Sequence, residues 1–168
     1  MIFTGDGKGK TTAALGLALR ASGHGQRIFI LQFLKSQRFT GEQLGLIPLP
    51  GVEMMIGGVG FLPGPKSPTF RLHQEAAEKS LDVAWEILKS GRYDLVVLDE
   101  IGTAISKGVL SEDRVLEVIR QRHEKTHLVM TGRGMSDRLM DQADTVTQMN
   151  CLKHGFQQGL KAQPGIEY

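Results

Sequence analysis

Residues 4–12 read Thr-Gly-Asp-Gly-Lys-Gly-Lys-Thr-Thr, and this segment is the strongest indication of the fold. Its end matches the close of the phosphate-binding loop pattern, Gly, four residues, Gly-Lys-[Ser/Thr], although Thr4 stands where the pattern has its first glycine. The glycines at 5, 7 and 9 allow the backbone to turn successive N–H groups towards anionic oxygens. Apolar residues at 2 and 3 predict a strand before the loop, and those between 13 and 19 predict a buried helix after it. This context favours a nucleotide site over a solvated turn.

The loop also predicts a role for each of its side chains. Lys10 is expected to reach a phosphate, and the Thr11 hydroxyl is expected to bind Mg²⁺. The start of the following helix adds a positive end to the site. The candidate nucleotide-binding residues are Thr4, Gly5, Asp6, Gly7, Lys8, Gly9, Lys10, Thr11 and Thr12.

Composition narrows the class of protein. The 168 residues are 40% hydrophobic, which suits one globular domain spanning residues 1–168. A formal net charge of +2, with no basic block, argues against a nucleic-acid or membrane partner. The single cysteine, Cys151, and the lack of a signal-peptide pattern favour the cytoplasm.

Apolar runs alternate with helical patterns along the chain. The predicted strands are 1–4, 28–33, 52–56, 93–100, 127–131 and 145–149, and the predicted helices are 10–22, 68–90 with Ser67 as its N-cap, 111–122 and 136–142. Residues 35–51 are expected to form a loop with one helical turn, and 57–68 and 102–110 are expected to form loops. The alternation predicts an α/β fold with a mostly parallel sheet flanked by helices.

Two carboxylates end the hydrophobic run Leu95–Glu100. In proteins with a phosphate-binding loop, an acidic residue at such a position holds Mg²⁺. Asp99 and Glu100 would point to opposite faces of an extended strand, so one of them is expected to be the ligand and the other a hydrogen-bonding or basic partner. Arg133, between two glycines after the next strand, is expected near the same edge of the sheet, where its guanidinium would stabilise phosphate charge.

Several segments resemble the ATP:corrinoid adenosyltransferases of the BtuR/CobO/CobA type. These segments are the loop 4–16, Gly23-His24-Gly25, Leu31–Lys35, Asp94–Glu100, Thr131–Gly134, Lys153–Phe156 and Gly159–Tyr168. The resemblance covers nearly the whole chain, and the string at the C-terminal end is its most specific part. It implies a RecA-like fold and transfer of the 5′-deoxyadenosyl group of ATP to the cobalt of a reduced corrinoid, with release of triphosphate.

The resemblance also implies site residues and partners. Lys10 and Arg133 would act on the leaving triphosphate, and Glu100 would be the preferred Mg²⁺ ligand. The family's Gly-Phe-Thr-Trp loop corresponds to Gly60-Phe61-Leu62-Pro63, so Phe61 is expected to act on the corrinoid. The implied assembly is a homodimer, with a flavoprotein as a candidate reductant.

Two other functions remain open from the residues alone. One is an ATPase or nucleoside kinase that acts at the γ-phosphate with Glu100 as base. The other is a nucleotide- or corrinoid-binding protein without turnover. The products of ATP distinguish these hypotheses.

Overall fold

The computed structural model describes residues 1–36 and 40–166. Within these ranges six strands form one sheet, in which every strand pair is parallel. The strands are β1 (Ile2–Thr4), β2 (Ile28–Gln32), β3 (Val52–Ile56), β4 (Leu95–Asp99), β5 (His127–Thr131) and β6 (Val146–Gln148). Their order is β3-β2-β4-β5-β1-β6, so β5 separates the strand before the phosphate loop from the strand that carries Asp99. The predicted α/β fold is confirmed.

Helices cover both faces of the sheet. They are α1 (Lys10–Gly23), α2 (Gly41–Leu46), α3 (Phe70–Ser90), α4 (Ile101–Ser106), α5 (Glu112–Arg120) and α6 (Asp137–Met140), followed by a short 3-10 helix (Gly155–Gln158). None of the described helices is both long enough and apolar enough to cross a membrane.

Two apolar layers hold the helices on the sheet. Successive residues of a strand point to opposite faces, and β2 shows this directly because it is buried on both sides. Ile28 and Ile30 pack with α1, whereas Phe29 and Leu31 pack with α3. The phosphate loop lies between β1, which is buried throughout, and α1, which is buried on one face, and these two elements fix its position at the sheet edge.

Two local predictions were wrong. Residues 102–110 were expected to form a loop, but α4 occupies Ile101–Ser106. The third helix begins at Phe70 with Thr69 as its N-cap, rather than at Pro68 after a Ser67 cap. The Ser67 hydroxyl instead accepts a hydrogen bond from the Thr69 N–H in the preceding turn.

Candidate nucleotide-binding site

The predicted site residues meet at the carboxyl ends of β1, β4 and β5. A pocket of about 1170 Å³ opens there, and its walls come from five parts of the chain that are far apart in sequence. Of the predicted residues, the lining includes Asp6, Gly7, Lys8, Gly9, Lys10, Thr11, Thr12, Glu100 and Arg133. Ligands of open parallel sheets gather at this edge, so the geometry supports the predicted location.

Close packing shapes the phosphate loop. Gly5 has a φ of 92°, and a Cβ there would run into the backbone of Met149. Gly7 donates its N–H to the Met149 carbonyl at 2.7 Å. The loop is thus pressed against the segment that follows β6, and the Gly7 amide is already used by the protein.

The Lys10 side chain folds back onto the phosphate loop. Its ammonium donates to the carbonyls of Gly5 at 2.7 Å and Gly7 at 2.6 Å. Burial, and then the positive charge of Arg133, lowers the pKa of Lys10. An ammonium has three donors, so one remains for a ligand in the pocket.

Asp99 is the centre of a buried hydrogen-bond network. Its side chain is 0% exposed. Oδ1 accepts from the Thr11 hydroxyl at 2.8 Å and from the Thr131 hydroxyl at 2.6 Å. Oδ2 accepts from the Gln32 amide at 2.8 Å. The three donors are neutral, and Asp99 forms no ion pair with another described residue.

Glu100 is held differently from its neighbour. It is the N-cap of α4 in the left-handed conformation, with a φ of 65°. Its N–H donates to the Thr131 hydroxyl at 2.9 Å, and its side chain lines the pocket. Both carboxylates were predicted to lie on an extended strand, but β4 ends at Asp99, so that part of the prediction was wrong. Burial, and then the Asp99 charge, raises the pKa of Glu100.

Arg133 lies where the glycine-rich turn after β5 meets α4. Gly132 has a φ of 149°, and a Cβ there would lie 2.6 Å from Gly102 Cα. The Arg133 N–H donates to the Thr103 hydroxyl at 3.0 Å. Its guanidinium lies 4.0 Å from the Asp6 carboxylate and is largely exposed. The turn therefore brings a cation to the mouth of the phosphate loop.

Four predicted residues do not line this pocket: Asp99, which lies behind Thr11, and Thr4, Gly5 and Phe61. Thr4 is buried in β1, and Gly5 contributes its carbonyl to Lys10. Phe61 is 97% exposed in the segment between β3 and α3. Its role stays a prediction.

The pocket also contains residues that the sequence did not assign to it. Lys35 and Glu42 form an ion pair of 2.9 Å on one wall. His154 lies on another wall, where its Nδ1 accepts the Phe156 N–H at 3.1 Å. With Nδ1 used as an acceptor, a neutral His154 carries its proton on Nε2. The family-like string around His154 was the available signal, but it did not show that the string folds back onto the loop.

A second pocket, of about 550 Å³, lies near the amino ends of β1, β4 and β5. Its lining contains none of the predicted site residues. We therefore assign the nucleotide to the larger pocket.

Several curated proteins similar to this chain are described as corrinoid adenosyltransferases. The family model for ATP:corrinoid adenosyltransferase BtuR/CobO/CobP matches residues 1–168. The corrinoid adenosyltransferase of Pseudomonas aeruginosa is 38% identical over 169 residues, which cover 100% of this chain and 82% of that protein. Corrinoid adenosyltransferase CobA of Salmonella typhimurium is 36% identical over 173 residues, covering 100% and 84%. The corrinoid adenosyltransferase of Escherichia coli is 34% identical over 172 residues, with the same coverage.

Proposed function

The chain belongs to the ATP:corrinoid adenosyltransferase family, and on that premise we propose that it transfers the 5′-deoxyadenosyl group of ATP to the cobalt of a reduced corrinoid. The observation that carries the proposal for this chain is the pocket in which the phosphate loop meets Glu100 and Arg133. Such a pocket suits a nucleotide whose phosphates must be held while chemistry occurs elsewhere on the molecule.

The proposed reaction requires little chemistry from the protein's own side chains. Cobalt(I) donates its electron pair to the ribose C5′, a cobalt–carbon bond forms, and the C5′–O bond breaks. The departing triphosphate takes the electron pair of that bond. Because the nucleophile belongs to the corrinoid, the protein has to orient C5′ and stabilise the charge of the leaving group.

Lys10 and Arg133 are the cations proposed to stabilise the leaving triphosphate. The two carbonyl contacts of Lys10 hold its ammonium over the loop while one donor stays available. The exposed guanidinium of Arg133 faces the same loop from the opposite side, next to Asp6. Thr4 to Thr12 would hold the phosphates between them.

The same pocket fits a magnesium ion carried by ATP. Among the described residues no group of three or more His, Cys, Asp or Glu side chains could hold a metal, so the ion would depend on few protein ligands and on the phosphates of ATP. Asp99 is a buried carboxylate surrounded by neutral donors, and a nearby cation would offset its charge. Hard oxygen donors from Thr11 and Glu100, with Asp99 behind Thr11, would hold the ion. When bound, Mg²⁺ would neutralise phosphate charge.

Phe61 is proposed to act on the corrinoid. The residues around it belong to a glycine- and proline-rich segment, and the aromatic ring lies in solvent. An exposed aromatic side chain next to the nucleotide domain's edge strand is available to contact a large, flat ligand. This supports a corrinoid-side role that is separate from ATP binding.

The remaining proposals concern the whole protein. We propose that residues 1–168 form one nucleotide-binding domain and that the protein is a cytoplasmic homodimer that receives electrons from a flavoprotein. Exposed apolar side chains in the C-terminal segment support a covering partner or ligand: Leu152, Phe156, Leu160 and Ile166.

Analysis of the nucleotide products tests the proposed reaction. The protein is incubated anaerobically with ATP, Mg²⁺ and a chemically reduced corrinoid, and the phosphorus products are identified by NMR. We expect triphosphate in an amount equal to the adenosylated corrinoid. ADP and phosphate would instead indicate an ATPase or kinase, and unchanged ATP would indicate a binding protein.

A further inference from the structure

Gln32 lies behind the site, where no ligand can reach it. It is the last residue of β2 and pairs in parallel register with Asp99 on β4. Its side chain is 0% exposed and does not line the pocket. Its side-chain Nε2 donates a hydrogen bond of 2.8 Å to Asp99 Oδ2.

The other end of the Gln32 amide is unsatisfied. Its Oε1 is buried and has no hydrogen-bond partner among the described residues. Turning the amide over would place Oε1 against the Asp99 oxygen, so that two acceptors would face each other. The orientation of the amide is therefore determined by Asp99, even though it leaves a buried carbonyl without a donor.

Packing alone does not explain a glutamine at this position. The four residues before it in β2 are Ile28, Phe29, Ile30 and Leu31, all buried and apolar. An apolar side chain at residue 32 would continue this run without an orphaned carbonyl. A buried carbonyl without a donor costs free energy. A glutamine retained in spite of this cost indicates a function for its amide nitrogen.

We propose that Gln32 is a positioning residue that fixes Asp99 and, through Asp99, the Thr11 hydroxyl. With Oδ2 held by Gln32, Oδ1 is fixed where it accepts the Thr11 hydrogen. The Thr11 hydroxyl then directs its lone pairs away from Asp99, which suits a divalent cation that arrives with ATP. This inference rests on the proposed function, because it concerns the magnesium-bound nucleotide.

Substitution of Gln32 should weaken the hydrogen-bonded connection from residue 32 through Asp99 to Thr11. Without the amide donor, Oδ1 of Asp99 keeps its contact with the Thr131 hydroxyl, but Oδ2 is no longer held and the carboxylate is less restricted about its terminal torsion. The acceptor of the Thr11 hydrogen would then be less tightly fixed, and the hydroxyl would be less strictly oriented. The effect should appear in the contribution of Mg²⁺ to ATP binding and should be absent when the cation is absent.

The test compares Gln32→Met with Gln43→Met. Gln43 is also a buried glutamine with an unpartnered amide atom, but it does not line the pocket, and its amide oxygen accepts from the Thr40 N–H at the start of α2. ATP binding to each full-length variant is measured by calorimetry with Mg²⁺ and with EDTA. Gln32→Met should weaken binding roughly 10-fold or more with Mg²⁺, as outer-shell substitutions do, and should leave binding in EDTA unchanged. Gln43→Met should alter neither value.

The results that would overturn the positioning role differ from the result that would exclude the magnesium site. A folded Gln32→Met variant that keeps the wild-type Mg²⁺ effect overturns the positioning role, as does equal weakening in both buffers. If Gln32→Met does not fold, Gln32→Asn withdraws the amide by one methylene and the same comparison applies. If wild-type protein binds ATP equally with Mg²⁺ and with EDTA, the proposed magnesium site fails, which is a different result.

Discussion

At the scale of single residues, Asp99 and Glu100 show how neighbours in sequence acquire different chemistry. Asp99 ends β4, is fully buried and accepts three hydrogen bonds from neutral donors. Glu100 has left the strand, lines the pocket and has a raised pKa. Asp99 therefore suits a supporting position behind Thr11, whereas Glu100 suits direct contact with a ligand.

Lys10→Ala should abolish productive use of ATP. The substitution removes the ammonium that lies over the phosphate loop, and the loss of one such charged donor costs roughly 10²–10³-fold in rate. The initial rate of adenosylation measures the effect. Lys66→Ala, an exposed lysine outside the pocket, serves as the control and should keep the wild-type rate. Near-normal turnover by Lys10→Ala would exclude the loop from the mechanism.

Substitution of the two carboxylates should separate their roles. Glu100→Gln should raise the Mg²⁺ concentration needed for half-maximal activity more than Asp99→Asn does, because the proposed direct ligand is Glu100. Asp99→Asn should act more on stability, since it replaces an acceptor for three donors, two of them in buried hydrogen bonds. Magnesium titrations and urea unfolding of both variants give the comparison. An unchanged Mg²⁺ requirement in both would remove these residues from the metal site.

The sequence predicted the residues that face the pocket better than the residues behind them. The spacing Gly9-Lys10-Thr11 and the paired acids carry a pattern that can be read without a structure. Gln32 belongs to no such spacing pattern, because its proposed role depends on the pairing of β2 with β4. His154 reaches the pocket only because the chain folds back after β6, which local pattern does not determine.

At the scale of elements, the buried strands follow directly from apolar runs, whereas α4 does not. β2 and β4 are buried on both faces and read as continuous hydrophobic stretches. Helix α4 has six residues, includes Gly102 and begins after a residue in the left-handed conformation. A helix this short has little periodicity to detect, and its position is set by the contact of Gly132 with its first turn.

Gly132→Ala should disturb the junction between β5 and α4. The residue has a φ of 149°, and an added Cβ would lie 2.5 Å from the Thr103 nitrogen. We expect a loss of about 1–3 kcal/mol in the free energy of unfolding and weaker ATP binding, since Arg133 follows directly. Gly64→Ala is a suitable control because its Cβ would meet nothing within 4 Å. Equal stability of the two variants in urea would contradict the account of this turn.

Phe61→Ala tests the segment between β3 and α3. Because the ring is 97% exposed, its removal should change the free energy of unfolding by no more than about 0.5 kcal/mol. Reaction with a cobalt(II) corrinoid under enzymatic reduction should slow, whereas reaction with corrinoid already reduced to cobalt(I) should be spared. The reason is that only the reduction step is expected to need the aromatic side chain.

Val59→Ala is the matched control for Phe61, since Val59 is an exposed apolar residue of the same segment. It should behave as wild type in both assays. Equal loss for Phe61→Ala with cobalt(II) and cobalt(I) substrates would contradict the assignment to the reduction step.

At the scale of the whole molecule, the order of the strands in the sheet determines how the parts of the site are connected. The strand before the phosphate loop and the strand of Asp99 are not neighbours, and β5 lies between them. Thr131 at the end of β5 therefore bridges the two, since it lies in register with Phe3 of β1 while its hydroxyl contacts Asp99 and the Glu100 N–H on the β4 side. The site thus depends on three strands that end at the same edge, where, in the proposed reaction, the phosphates would be held and the reacting carbon would be left accessible to a second substrate.

The visible spectrum of the corrinoid tests the central claim most directly. Wild-type protein is mixed anaerobically with ATP, Mg²⁺ and chemically reduced corrinoid, and the spectrum is followed with time. We predict that the cobalt(I) bands are replaced by those of an alkylated corrinoid only when ATP is present. Consumption of ATP while the cobalt(I) spectrum persists would contradict adenosyl transfer by this chain.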